Sequence, residues 1–438
     1  MAWILLLVFL GTIIGQAARP LWRVEIVLGG AGLGLALGAV AGHAPHAVLS
    51  ALPWDVLIIL GALGVVSRIY AESRLFTRLA VLGARLSRAR PTAMALGAAL
   101  VMFFVSGLVN NLTALLLVLP VVIAILELVG TTERHLRWTI GVLLVACNLG
   151  GASTPIGDFP AILLLGAGAM DFNAYLVRAF PIALAALIVL LGVVHLGVRP
   201  ARDVEAPALR SALTVAAIEA LHRRVRLDVR LLAPATLALV GMLAAWILLP
   251  AAVAPPHLVA WVGAAAALLL CGRRATGALL RGVDLEATLF LFGLFVLVGV
   301  VRESGFFATL AGGLAGLDIA PSARLYLLVT VTGVATGLFS AGPSMAAMLE
   351  VGRPLTETVP PAAVYVGLAF GVCAGSSLLL TAATSGPLAQ SLVERAAITD
   401  DRGAPLRLTF QGFLPVGALS FLIILAVGLG AVGWLAGG

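Results

Sequence analysis

The chain has 438 residues, 61% of them hydrophobic and 11% charged, with a mean hydropathy of +1.13. A soluble fold of that length could not hide so much apolar surface, which excludes soluble enzymes, DNA-binding proteins and secreted disulfide scaffolds. The net charge of +7 is carried by arginines in loops beside hydrophobic runs, where basic residues report membrane orientation rather than a nucleic-acid partner.

The apolar runs suit helices crossing a hydrocarbon layer of about 30 Å, and they lack the alternation of barrel strands. Residues 1–19 read as a first transmembrane helix with its N-terminus outside, not as a signal peptide, because no basic stretch precedes the apolar one. Helices are predicted at about 2–18, 25–42 and 54–70, followed by an amphipathic segment to about 90. Residues 92–130 are predicted to form a re-entrant hairpin turning near Asn110, which keeps Arg134 and Arg137 on the side of the arginine-rich segment 199–230. That segment is the one long polar stretch, and it reads as a cytoplasmic linker.

The second half repeats the first at an offset of about 230 residues, as expected of a transporter built from internal repeats. The segment from Pro53 parallels that from Val283, Ser106–Val122 parallels Thr336–Gly352, and Ala146–Asp158 parallels Val372–Thr384. With a matching hairpin turning near Gly342, only Arg178, Arg302, Arg324 and Arg353 of the 27 basic residues lie outside. The expected fold is therefore an all-α polytopic membrane protein of two inverted-topology repeats with re-entrant hairpins and broken helices. Its predicted divisions are a first repeat over 1–198, a linker over 199–230 and a second repeat over 231–438. Cys147, Cys271 and Cys373 have no pairing or metal-ligand spacing and read as buried thiols.

The candidate chemistry lies where polar residues interrupt apolar runs. In the first half these are Ser106, Asn110, Asn111 and Thr113, then Asn148 followed by Gly150, Gly151, Ser153, Thr154, Pro155, Gly157 and Asp158. Helices broken at mid-membrane leave dipole ends and main-chain groups that must face protein or a water-filled cavity. Asn amides and hydroxyls add neutral oxygen ligands for a hard monovalent cation. Asp158 is the central candidate: burial disfavours its charged form and a bound cation favours it, an opposition that lets one carboxylate exchange Na⁺ for H⁺. The alternative role for Asp158 is a helix N-cap, and for Asn110 and Asn111 interhelical hydrogen bonding. The second half offers Ser340, Ser344, Ser376, Ser377, Thr381, Thr384 and Ser385 without a carboxylate, and serine bonding to its own helix is the plain alternative there.

At these positions NNLTALLLVLP, NLGGASTPIGD and DLEATLFLFGLFVLVG resemble the ion transporter superfamily that includes NhaD-type sodium/proton antiporters, arsenite permeases, citrate transporters and divalent anion/sodium symporters. The resemblance covers about residues 25–435. It implies a scaffold part that commonly dimerises and a transport part, with two hairpins and two broken helices, that moves in an elevator-like way. GGASTPIGD, ending in Asp158, is closest to the NhaD type, whereas Ala341-Gly342-Pro343-Ser344 stands where those proteins carry an Asp-Asn pair.

The expected function is a secondary cation/proton antiporter of the cytoplasmic membrane, with Na⁺ at Asn110, Asn111 and Asp158. It would need no cofactor beyond Na⁺ and H⁺ and would have a small ion, the bilayer and a second copy of itself as partners. The alternative is a transporter of citrate-like carboxylates or an oxyanion, in which helix N-termini and hydroxyls hold the anion and Asp158 a cation. No arginine falls in the predicted breaks, which favours the cation reading. An enzyme is the poorest fit, since Gly371–Gly375 has the spacing of a nucleophile elbow but no strand–turn–helix setting.

Overall fold

The computed structural model of the protein describes residues 2–19, 22–75, 78, 82, 91–109, 111–166, 168–202, 216, 227–250, 252–283, 285–383, 385–399 and 404–437. The amphipathic segment after residue 72 and the linker fall largely outside them.

The first half comprises α1 (Ala2–Ala18), α2 (Arg23–Val40), a short α3 (Pro45–Ser50) and α4 (Trp54–Glu72). It continues with α5 (Pro91–Leu108), α6 (Asn111–Val129), α7 (Glu133–Ser153), α8 (Phe159–Gly166) and α9 (Phe172–Val193), which runs on through a π-turn, Val194–Val198. The second half has α10 (Val229–Leu248), α11 (Pro256–Cys271), α12 (Arg273–Arg281), α13 (Leu285–Glu303), α14 (Phe306–Ala315), α15 (Pro321–Phe339) and α16 (Ala341–Gly352). It ends with α17 (Pro361–Ser376), α18 (Ser385–Ala396) and α19 (Phe410–Gly437). Among the described residues, eight helices are long and apolar enough to cross a membrane, or nine if α13 and α14, bent by 66°, count as one span.

Local chemistry sets many of the starts. Thr132 caps α7 by accepting the His135 N–H at 3.3 Å, and Asp228 caps α10 by accepting the Arg230 N–H at 3.0 Å. Proline opens α11, α15 and α17, where its missing N–H costs nothing. Burial then separates roles: 94% of the best α7 window is buried, against 28% for α2 and for α10. α7 is a core helix, and α2 and α10 present apolar faces outward, as lipid-facing helices do.

The packing repeats itself with the halves exchanged. α1 lies on α2 as α10 lies on α11, and α2 packs on α13 as α11 packs on α4. Within each half the hairpin flanks the broken helix, α5 and α6 against α7, then α15 and α16 against α17. The short arms cross over, α8 onto α16 and α18 onto α6. These contacts pair off between the halves, the geometry of two halves related by a two-fold axis.

Polar contacts at the helix ends fix which loops share a side. The Arg134 guanidinium donates to the Val198 carbonyl at 2.7 Å, the Asp228 N–H donates to the Ser73 carbonyl at 3.2 Å, and Arg23 pairs with Glu286 at 3.2 Å. Thr92, at the start of α5, lines a pocket with His135, His195 and Pro200. Both arms of the first hairpin therefore begin and end at the linker's end of the bundle. At the opposite end His257 lies 3.2 Å from Asp55, and Arg302 lies 3.8 Å from Glu350.

In a Cys271→Ser background, Arg134→Cys and Arg202→Cys are expected to react with a membrane-impermeant maleimide from the same side, and Arg353→Cys from the other. Labelling of Arg134→Cys and Arg202→Cys from opposite sides would refute the hairpin.

Candidate functional site

Four helix starts meet near the middle of the bundle. α5 gives way to α6 around residue 110, which lies outside the described residues. Ser340 alone separates α15 from α16, with φ 83° and ψ 154°. That region of backbone space is essentially glycine's and costs another residue about 1–3 kcal/mol. α7 stops at Ser153 and the chain crosses non-helically to α8 at Phe159, while α17 stops at Ser376 and α18 begins at Ser385. Thr384 lies outside the described residues.

Each break strands carbonyls where water is scarce, and side-chain hydroxyls take them up. Ser106 Oγ donates to the Cys147 carbonyl at 2.8 Å and lies against the Asn111 side-chain oxygen. Ser153 Oγ donates to the Gly150 carbonyl and Thr154 Oγ1 to the Gly107 carbonyl, both at 2.6 Å. The Tyr175 hydroxyl donates to the Ala152 carbonyl at 2.8 Å. Ser376 and Ser377 bond back to the carbonyls of Val372 and Cys373 at 2.8 and 2.9 Å. The halves are joined where α7 meets α17: Asn148 Nδ2 donates to the Ser376 carbonyl at 3.1 Å and to Ser377 Oγ at 3.2 Å.

Asp158 stands at the N-terminus of α8, and its Oδ1 accepts the Phe159 N–H at 2.8 Å. The Asn111 side chain also hydrogen-bonds to this carboxyl group. Glycine is required beside them, since a Cβ on Gly151 would sit 2.6 Å from Asn111 Oδ1 and 2.7 Å from Asp158 Cβ. Capping and facing the site are thus compatible roles for the same carboxylate.

In front of Asp158 lies a cavity of about 90 Å³ to which the N-termini of four helices contribute. They are Asn111 of α6, Phe159 of α8, Ala341 and Gly342 of α16, and Ser385 of α18. Ser340 lines it as well, and its side chain makes no capping hydrogen bond. Among the lining residues Asp158 is the one acid and Arg23 the one base. Arg23 reaches it from the start of α2, held by Glu286 and by the Phe290 ring, whose centroid is 5.8 Å from the guanidinium carbon. A second cavity, about 440 Å³, lies at the opposite end and is lined by Trp54, Arg302, Glu350, Arg353 and Phe295. The rings of Phe159 and Phe295, one lining each cavity, pack with centroids 5.8 Å apart.

Of the candidate residues singled out in the sequence, Asn111, Gly157, Asp158, Ser340 and Ser385 line the cavity in front of Asp158. Gly150 and Gly151 serve packing, and the hydroxyl hydrogens of Ser153, Thr154, Ser376 and Ser377 serve main-chain carbonyls. Ser344 is buried with no partner for its Oγ. Thr113 is half-buried on α6, Thr381 is exposed, and neither lines this cavity. Sequence reading missed Arg23 and Tyr175 as site residues. Arg23 had counted only as an orientation signal, and nothing local marks an arginine that reaches a site more than a hundred residues away in the chain.

A family model described as "Citrate transporter" matches residues 6–371. An uncharacterized transporter of Mycobacterium tuberculosis is 25% identical over 388 residues, covering 86% of this chain and 85% of its own. The magnetosome protein MamN of Paramagnetospirillum magneticum is 29% identical over 367 residues, covering 83% and 82%. In structure the chain is similar to the YdaH transporter of Alcanivorax borkumensis, with a TM-score of 0.56, 16% identity, and coverage of 92% of this chain and 87% of that one.

Two glycine contacts weld hairpin to broken helix. A Cβ on Gly150 would sit 2.2 Å from the Phe103 carbonyl oxygen, and one on Gly375 would sit 2.2 Å from that of Gly333. Gly150→Ala and Gly375→Ala are each expected to cost about 1–3 kcal/mol, read as a lower melting temperature of the purified protein. Gly430→Ala, with no atom within 4 Å of its Cβ, is expected to be neutral.

Proposed function

The chain belongs to the citrate transporter family and is a multi-pass membrane transporter, and from that premise we propose that it carries a small anion, a carboxylate or an oxyanion, together with H⁺ or Na⁺ taken up at Asp158. The carrying observation is the charge balance of the cavity in front of Asp158. Each helix N-terminus acts as roughly half a positive charge, so the four together outweigh the single carboxylate even with the Arg23 charge balanced by its partner Glu286. Anion recognition at helix N-termini is a general device, and Ser340 and Ser385 add hydroxyls.

Coupling follows from the position of Asp158. While ionised it cancels part of the field that attracts the substrate. Once protonated or paired with a cation it leaves the helix ends free to hold the anion. Binding of the two is thus mutually favourable, and an uphill gradient of one can be drawn by the other. In this reading the block of α5–α9 and α15–α19 slides as an elevator against α1–α4 and α10–α13. The Phe159–Phe295 contact closes the far side, and the Arg23 end is open to the cytoplasm. The reading includes a homodimer in the cytoplasmic membrane.

Sodium/proton antiport is the second reading. It is supported by the Asn111–Asp158 pair, which offers a cation one charged and one neutral oxygen ligand. In that case Na⁺ and H⁺ compete for one carboxylate. Apparent Na⁺ affinity then falls as pH drops and approaches a tenfold loss per pH unit once the carboxyl is mostly protonated.

In proteoliposomes, gradient-driven uptake of labelled citrate or an oxyanion is expected to saturate. Arg23→Gln is expected to weaken its apparent affinity by about tenfold, the equivalent of about 1.4 kcal/mol. Asp158→Asn is expected to abolish accumulation while leaving exchange of anion for anion. Saturable ²²Na⁺ exchange with no uptake of any anion would overturn the anion reading in favour of antiport.

A further inference from the structure

Asp158 lines two cavities. The second, about 10 Å³, lies between α7, α8, α9 and α17 and is lined by Asn148, Tyr175, Cys373 and Ser376. Its volume is the room one water or one small ion takes. Asn148, Tyr175 and Ser376 are 5%, 1% and 6% exposed, so bulk solvent does not serve them.

The hydrogens around this chamber are already committed. Asn148 Nδ2 donates to the Ser376 carbonyl and to Ser377 Oγ, the Ser376 hydroxyl donates to the Val372 carbonyl, and the Tyr175 hydroxyl donates to the Ala152 carbonyl. The lone pairs are what remain. Asn148 Oδ1 is buried with no hydrogen-bond partner, and the Ser376 and Tyr175 oxygens keep acceptor capacity once their protons are donated. Beside them stands the Asp158 carboxylate, and the one side-chain hydrogen left uncommitted is the weakly donating Cys373 thiol. A buried acceptor without a donor is costly, and several around one small void are satisfied together by a positive ion with oxygen preference.

We propose that this chamber binds one small monovalent cation, Na⁺ or Li⁺, between Asp158, Asn148 Oδ1, Ser376 Oγ and the Tyr175 hydroxyl oxygen, apart from the cavity that takes the substrate. The inference rests on the reading of Asp158 as the coupling carboxylate. A cation here neutralises Asp158 without occupying the substrate's space. Its ligands come from both halves of the chain, so its binding fastens α7 and α8 to α17 and favours the packed block over a loosened one.

The test is the melting temperature of the purified full chain, with choline chloride replaced by NaCl, LiCl or KCl at constant ionic strength. A ligand that binds the folded state raises it. Na⁺ and Li⁺ are expected to stabilise the wild type and K⁺ to leave it unchanged. Ser376→Ala and Tyr175→Phe, two separate substitutions so that one suffices if the other fails to fold, should each raise the Na⁺ concentration for half-maximal stabilisation by about tenfold. Ser340→Ala, in the substrate cavity, should leave it unchanged. A wild type indifferent to Na⁺ and Li⁺ overturns the proposal, with the chamber holding water. A Na⁺ response that survives both substitutions but is lost in Asn111→Ala overturns it too, moving the cation to the substrate side. Neither result bears on anion transport, which is read separately as proton-driven uptake of labelled anion, and whose absence would sink the functional reading instead.

Discussion

A main-chain carbonyl or amide in the hydrocarbon layer must find a partner inside the protein, and this requirement governs the arrangement of the molecule's centre. Two helices are broken and two hairpins turn there, so orphan groups accumulate far from bulk water. The chain answers with hydroxyls from neighbouring elements, with Ser106 bonding to α7, Thr154 to α5 and Tyr175 to the end of α7. Each of these bonds satisfies a carbonyl and also ties a broken end to something rigid. Close helix packing at Gly150 and Gly375 completes the block. The site is therefore held by the same contacts that make its irregular backbone tolerable in a membrane.

Once those bonds are assigned, little polar chemistry is left over, and what is left has a clear polarity. Amide ends of four helices face the cavity in front of Asp158, whereas oxygen lone pairs face the small chamber that also borders it. Asp158 is the shared wall. One side of the carboxylate suits an anion when its charge is masked, and the other suits a cation that masks it. Ser340 belongs to this economy: its backbone is held in a conformation that glycine would adopt more easily, yet serine presents a hydroxyl to the cavity.

Much of this was legible in the sequence. Long apolar runs, the offset between the halves and the arginine distribution gave the spans and the hairpins, because hydrophobic length and loop charge are local properties. The breaks were legible because Gly, Pro and Asn cannot sit comfortably inside an apolar helix. The use of each hydroxyl was not legible. A serine that binds an ion and a serine that caps a carbonyl have the same sequence setting, and only the structure shows that Ser153 bonds back within α7 and Thr154 across to α5. Thr113 and Thr381 point elsewhere because the phase of a helix or turn around a break depends on where the chain resumes. Arg23 was the largest omission, because it stands at a helix start far along the chain from the breaks and only the packing brings it to the cavity.

Concentrating the site's ionisable chemistry in one carboxylate has an electrical consequence. If the block carrying Asp158 traverses the membrane, its ionised form moves one negative charge and its neutralised form moves none. Each elementary charge carried through the full field is worth about 2.3 kcal/mol per 100 mV. The membrane potential then acts unequally on the two halves of a transport cycle, opposing or assisting the unloaded passage while leaving the passage with neutral Asp158 to the charge of its cargo. Transient currents recorded from a solid-supported membrane would carry this asymmetry, and replacing the carboxylate by an amide would remove Asp158's share of the moving charge.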